Sequence, residues 1–257
     1  MRSFVPRQSQ AAELLDGLTI DRQLLRENLR EMARANRWLG GQRAIVRRVA
    51  AWLALLPPGV TPCVLDVATG GADLPIALHD WSVQHDRPLQ LLASDLNPQV
   101  LAVTQREVGA RPIALLRHDA LRLPFADGAV DIVTCTQALH HFSRDAAAAL
   151  LRELARVARL GVIINDLRRS YLAYWGARLL AYGPVSALGR HDGPLSVLRA
   201  YTPLELSELV QRTTLPAQVR RTPGFRVEIE LDKTKLTASA SAALRTRTPT
   251  EHVDGEG

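Results

Sequence analysis

Lysine is almost missing from this chain. Of its 32 basic residues only Lys233 and Lys235 are lysines; the others are arginines, and the formal net charge is +6. Beside abundant alanine and leucine, that bias reads as a compositional habit as much as a binding surface. Arg22, Arg26, Arg30 and Arg34 recur every four residues and form one stripe on a helix. No aromatic residue interleaves with them, so a solvated face is expected and a nucleic-acid partner is not. Cysteine is as scarce. Cys63 and Cys135 are the only two, both in or beside apolar strand-like runs, which favours buried free thiols over a disulfide. No run of about 18 uncharged apolar residues occurs, so no membrane span is expected. MRSFVPRQSQ at the start lacks the apolar core of a secretory signal, and a cytoplasmic protein is expected. Metal chemistry has no sequence support: there is no cysteine pair, no His-Glu-x-x-His and no compact carboxylate cluster.

What is present is a sizeable core. At 47% hydrophobic residues over 257 positions, one domain with additions is expected. Residues 1–19 are expected to be flexible, 20–235 to form the domain, and 236–257, rich in Thr, Ala and Ser, to be a disordered tail. Two helices, DRQLLRENLREMARANRWL and QRAIVRRVAAWLALL, occupy 20–55, broken at Gly40-Gly41 and ended by Pro57-Pro58. Strands then alternate with helices. Strands are predicted near 63–67, 89–94, 112–117, 130–135 and 160–165, and helices near 72–85, 98–108 and 144–158. This alternation implies an α/β fold with a mostly parallel sheet covered on both faces. QVRRT and FRVEIEL flank Pro223-Gly224 as an antiparallel hairpin. Residues 168–201 interrupt the pattern before a helix opened by Thr202-Pro203-Leu204-Glu205, a capping box with proline at the first helical position. The interruption holds all four tyrosines and Trp175. It is read either as a packed helix pair or as a lid over an aromatic acceptor pocket.

The densest signal is VLDVATGGAD at 64–73. A short apolar run ends in Asp66 and passes through small residues, including Gly70 and Gly71, into an amphipathic stretch. That is a buried strand, a tight turn and a helix start. Small residues let the backbone approach a ligand closely. Asp95, in LLASDLNP, stands at the end of the next strand, roughly 20 or more residues on, where a carboxylate accepts hydrogen bonds from two ribose hydroxyls.

With these residues in view, the chain resembles the class I S-adenosylmethionine-dependent methyltransferases over about residues 20–231. Four blocks stand in the family's order: LDVATGGAD, SDLNP, HDALRLPFADGAVDIVTCTQALHHF and GVIIND. The wording is closest to the quinone-methylase and natural-product branch, which methylates small molecules. Ala68 and Ala72 replace common glycines, and VARLGV lacks the usual Pro-Gly-Gly turn. The resemblance implies a Rossmann-like, seven-stranded sheet whose C-terminal hairpin closes one edge. It also implies S-adenosylmethionine as donor, with S-adenosylhomocysteine as product. In that reading Gly70 and the backbone at Ala68 approach the methionine part and ribose, Asp95 takes the ribose hydroxyls, and Leu96 packs on adenine. Asp119-Ala120 resembles the adenine-edge pair, and Thr136 offers backbone contact to the methionine amine. Asp66 either holds the turn or joins the site; Asp73 either caps the next helix or meets the methionine ammonium.

Transfer from an activated sulfonium draws most of its rate from alignment of the acceptor. A hydroxyl acceptor must also lose a proton, and histidine titrates in the useful range. His140 and His141 follow strand four, on the same side as Asp166 at the end of strand five. The arrangement resembles O-methyltransferases with an LHH pattern and favours His140 as base, oriented by Asp166. His191, beside Asp192 in GRHDGPLS, is the rival. The function expected is O-methylation of a small phenolic or polyketide-like acceptor, with a homodimer as an allowed assembly. C- or N-methylation of a small molecule stands as the alternative, ahead of RNA methylation or a non-catalytic cofactor-binding role.

Overall fold

The computed structural model describes residues 5–17, 19–57 and 59–234; the expected C-terminal tail lies outside them. Two helices come first, α1 (Arg22–Trp38) and α2 (Gly41–Leu53). Asp21 caps α1 by accepting from the Leu24 N–H, and Gly40, with φ of 79°, turns the chain into α2. The alternating section follows: β1 (Cys63–Val67), α3 (Asp73–Gln84), β2 (Gln90–Asp95), α4 (Pro98–Val108), β3 (Ile113–Arg117), β4 (Val130–Thr136), α5 (Arg144–Val157) and β5 (Ala158–Leu167). Helices α6 (Tyr171–Leu180), α7 (Ala187–Arg199) and α8 (Pro203–Thr213) lead to the hairpin β6 (Gln218–Thr222) and β7 (Arg226–Asp232). The capping box is present at α8, with Thr202 and Glu205 exchanging hydrogen bonds.

The seven strands lie in the order β3-β2-β1-β4-β5-β7-β6. Strands one to five are parallel, while β7 pairs antiparallel with both β5 and β6. The fold is therefore Rossmann-like α/β, and the hairpin closes one edge. Chain direction away from β1 reverses between β1 and β4, which opens a crevice at their carboxyl ends. Buried side chains cover both faces: Ile45, Val49, Trp52 and Leu78 on one, Leu150, Leu154, Leu206 and Leu209 on the other. Cys135 is buried, Cys63 half-buried, and both thiols are free.

Two segments depart from expectation. Leu14–Asp16 form a 3-10 turn within the stretch expected to be flexible, and Glu13 beside it is buried. The segment 168–201 forms a helix pair, yet Tyr171, Trp175 and Tyr182 point outward. Only Tyr201 is buried, its hydroxyl donating to the Phe142 carbonyl at 2.7 Å. No residue of this segment lines the pocket at the carboxyl ends of β1, β2 and β4.

Candidate active site

A pocket of about 570 Å³ sits at the carboxyl ends of β1, β2 and β4, at the switch point. Its floor is the β1–α3 turn. Ala68, Gly70 and Ala72 have φ of 54°, 52° and 55°, so three left-handed residues fold the backbone tightly. Two of them are alanines in a conformation costly for a side chain. Hydrogen bonds hold them there: the Thr69 N–H donates to the Ser94 carbonyl, and the Thr104 hydroxyl to the Gly70 carbonyl.

Asp95 stands at the pocket wall. One carboxylate oxygen accepts from the Gly70 N–H at 3.1 Å and the other from the Asn97 N–H at 3.0 Å, which leaves each oxygen further acceptor capacity for a diol. Burial raises its pKa against these hydrogen bonds. Leu96 is exposed at the same wall. Ala68, Gly70, Asp73 and Thr136 also line the pocket. Asp73 accepts from the Asn36 amide at 2.7 Å, so it is held from α1 besides standing in the first turn of α3.

The other expected donor contacts sit elsewhere. Asp66 lies beneath the turn, accepting from the hydroxyls of Thr69 at 2.8 Å and Thr134 at 2.7 Å. Burial pushes its carboxyl up to about 7. It ties β1 to β4 and the turn; it does not line the pocket. Asp119 is exposed and accepts from the Leu121 N–H at 2.9 Å, as in an Asx turn. Neither Asp119 nor Ala120 lines the pocket, whose wall there is Arg117.

The histidine pair follows β4 on a 3-10 turn, Leu139–His141. His140 is 5% exposed. Its Nδ1 lies 2.7 Å from Asp166 Oδ1, and its backbone N–H donates to Asp166 Oδ2 at 2.9 Å. Burial opposes ionisation of Asp166, but the charge and hydrogen bonds of His140 outweigh it and hold the carboxyl low. An ionised carboxylate only accepts, so Nδ1 carries the proton. Its Nε2 points at Glu13, 3.6 Å away, and away from the pocket.

His141 is the one that faces the pocket. Its ring lies 4.3 Å from that of His140, and its Nδ1 sits 2.7 Å from Asp16. Asp16 is held well below the usual carboxylate range: burial works against this, and His141 and Arg199 overcome it. His141 Nε2 also lies near Glu13, 3.9 Å from Oε2, but the His141 side chain is 23% exposed and lines the pocket. His140 is buried and does not line it, so His140 is not the pocket-facing base that its pairing with Asp166 suggested. The two rings lie side by side on the 3-10 turn, and the one that pairs with β5 is on the side away from the pocket. His191 is also outside the pocket. Its Nδ1 contacts Asp192, whose two oxygens accept the N–H groups of Leu14 and Leu15.

Several site residues gave no sequence signal. Leu15, Asp16 and Gly17 roof the pocket with Leu29 and Met32 of α1. Arg199 reaches Asp16 at 2.6 Å and donates to the carbonyls of His140 and His141. Glu13, wedged between the two histidines, is raised by burial to about 7, against the pull of His141 and Arg199. Among the described residues, Glu13, His140 and His141 form a group with metal-ligand spacing. Arg199 Nε, 3.8 Å from Glu13, already supplies the counter-charge there.

The pocket suits a nucleoside with an amino-acid tail. It has the volume of a small-molecule site, a diol acceptor at Asp95, an apolar surface at Leu96, and a close backbone approach at Gly70. Residues 64–161 match a family model described as a methyltransferase domain. A demethylmenaquinone methyltransferase of Deinococcus radiodurans is 37% identical over 82 residues, covering 31% of this chain and 32% of that protein. One from Porphyromonas gingivalis is 29% identical over 184 residues, covering 68% of this chain and 72% of that one. The chain thus spans about a third of the first relative and most of the second. A solved S-adenosylmethionine-dependent methyltransferase of Aquifex aeolicus superposes with a TM-score of 0.54 at 16% identity, over 82% of this chain and 98% of that one. Residues 64–161 thus match a methyltransferase domain, and the fold of the chain is that of a solved S-adenosylmethionine-dependent methyltransferase.

Proposed function

We propose that this methyltransferase moves a methyl group from S-adenosylmethionine to a hydroxyl of a small aromatic acceptor, with His141 as the base. The observation that carries the reading is His141 in the pocket wall, its Nδ1 tied to a carboxylate held ionised. When bound, the donor supplies a methyl group already activated on a sulfonium. Gly70, Asp95, Leu96 and Thr136 bind it; Leu15, Leu29, Met32 and Phe142 give the remaining wall an apolar lining suited to an aromatic ring. His141, whose Nε2 lies 3.9 Å from Glu13 Oε2, takes the hydroxyl proton at that nitrogen as the oxygen gains its methyl group, and Asp16 steadies the imidazolium that forms. Glu13 and His140 pack behind this pair and keep water out.

A second reading has its own support. The curated relatives are named for demethylmenaquinone, and removal of a proton from a quinol hydroxyl also raises electron density on the ring carbons. The same base then serves C-methylation. Incubation of the protein with S-adenosylmethionine and a set of phenols and quinols tests both. Mass spectrometry is expected to show one added methyl, and NMR of the product separates oxygen from carbon. Absence of methylated product across the set, with the cofactor bound, contradicts the acceptor class.

A further inference from the structure

The outer face of α6 has no counterpart in the chemistry above. Its principal neighbour is α7, which packs in turn against α1 and the Leu14–Asp16 turn. At about 100° per residue, Tyr171, Leu172, Trp175, Leu179 and, beyond the helix end, Tyr182 fall within one arc. Leu172, Trp175, Leu179 and Tyr182 are 68%, 62%, 73% and 80% exposed. A continuous apolar patch of this kind marks an interaction surface.

Charge decides what it meets. No aspartate or glutamate occurs between Arg168 and His191. Arg178, at the edge of the arc, and Arg190 are exposed and make no ion pair among the described residues. An isologous contact with a second copy pairs a patch with itself, and would bring Arg178 toward its own copy with no acid from residues 168–191 to answer it. Amphipathic rings and leucines on one helix face, with Arg178 at its edge and no acid nearby in the chain, are instead the composition of an interfacial helix. We propose that the α6 face docks the protein peripherally on an anionic lipid bilayer.

The position adds a consequence. Asp192 of α7 holds the N–H groups of Leu14 and Leu15, so the docked face is joined through α7 to the turn that roofs the pocket. An apolar acceptor dissolved in the bilayer would reach the pocket from that side. Docking itself does not depend on the methyl-transfer reading.

Co-sedimentation of the full chain with vesicles tests the proposal. Binding to phosphatidylcholine vesicles containing phosphatidylglycerol is expected to exceed binding to pure phosphatidylcholine by about tenfold or more, and to weaken with salt. Trp175→Glu and Leu179→Glu are each expected to lower it about tenfold. Arg178→Glu is expected to erase most of the anionic preference. All three side chains are exposed, and circular dichroism checks that the fold persists. Protein left in the supernatant with both vesicle types overturns the proposal, as does binding that ignores the α6 variants. A dimer that Leu179→Glu splits, with no vesicle binding, assigns the face to a second copy.

Discussion

Asp166 grips His140 at two points, taking Nδ1 on one oxygen and the backbone N–H on the other. The grip fixes both the tautomer and the direction of the ring, and so fixes where the next ring lies. With His140 turned toward Glu13, His141 is left at the pocket wall. The two histidines differ in place: one is a buried post, the other faces the pocket.

Asp95 is the proposed anchor of the donor's ribose. Asp95→Ala removes hydrogen bonds to an ionised carboxylate, each worth roughly 1.5–3 kcal/mol. Cofactor affinity is expected to fall at least about tenfold with the fold intact. Calorimetry giving an unchanged dissociation constant would take Asp95 out of the site.

Glu13 sets a pH dependence of stability. Its carboxyl is raised by burial from the usual 4.5 to about 7, so between those values the folded state holds a proton that the unfolded state has lost. Stability from this group is present at low pH and declines as pH rises through about 7. Glu13→Gln is expected to gain on the wild type as pH rises, by up to roughly 3 kcal/mol. Thermal melts across pH 5–8 measure it; parallel curves for the two proteins refute it.

Gly161 leaves no room for a methyl group. A Cβ there would lie 2.3 Å from the Leu231 carbonyl and 2.7 Å from the Trp52 ring. Gly161→Ala is expected to cost about 1–3 kcal/mol as β7 or α2 shifts away. Denaturant unfolding with an unchanged midpoint would show that the seam yields freely.

Much of this was legible in the sequence, for local reasons. The β1–α3 turn, Asn97-Pro98 at the α4 start, the α8 capping box and the Pro223-Gly224 hairpin announce themselves within a few residues. Asp95 was legible because it ends a strand at a known distance from the turn. Asp16 was not. It lies 125 positions from His141, and no periodicity links a short 3-10 turn to a loop beyond β4. Which of two adjacent histidines faces the pocket rests on the pairing of His140 with β5, a tertiary fact. The α6 aromatics show a helical stripe in sequence, but a stripe does not say whether it faces a pocket or solvent.

The pH–rate profile of His141→Ala beside wild type tests the central claim most directly. A phenol ionises near pH 10, so without its base the reaction must wait for the ionised acceptor. The account predicts a loss of roughly 10²–10⁴-fold at neutral pH, narrowing as pH approaches the acceptor pKa, with donor affinity unchanged. His140→Ala, with the post removed and the wall disturbed, should lose activity without that recovery at high pH. A His141→Ala enzyme with wild-type rates at neutral pH, or a His140→Ala enzyme that alone recovers with pH, would contradict the assignment.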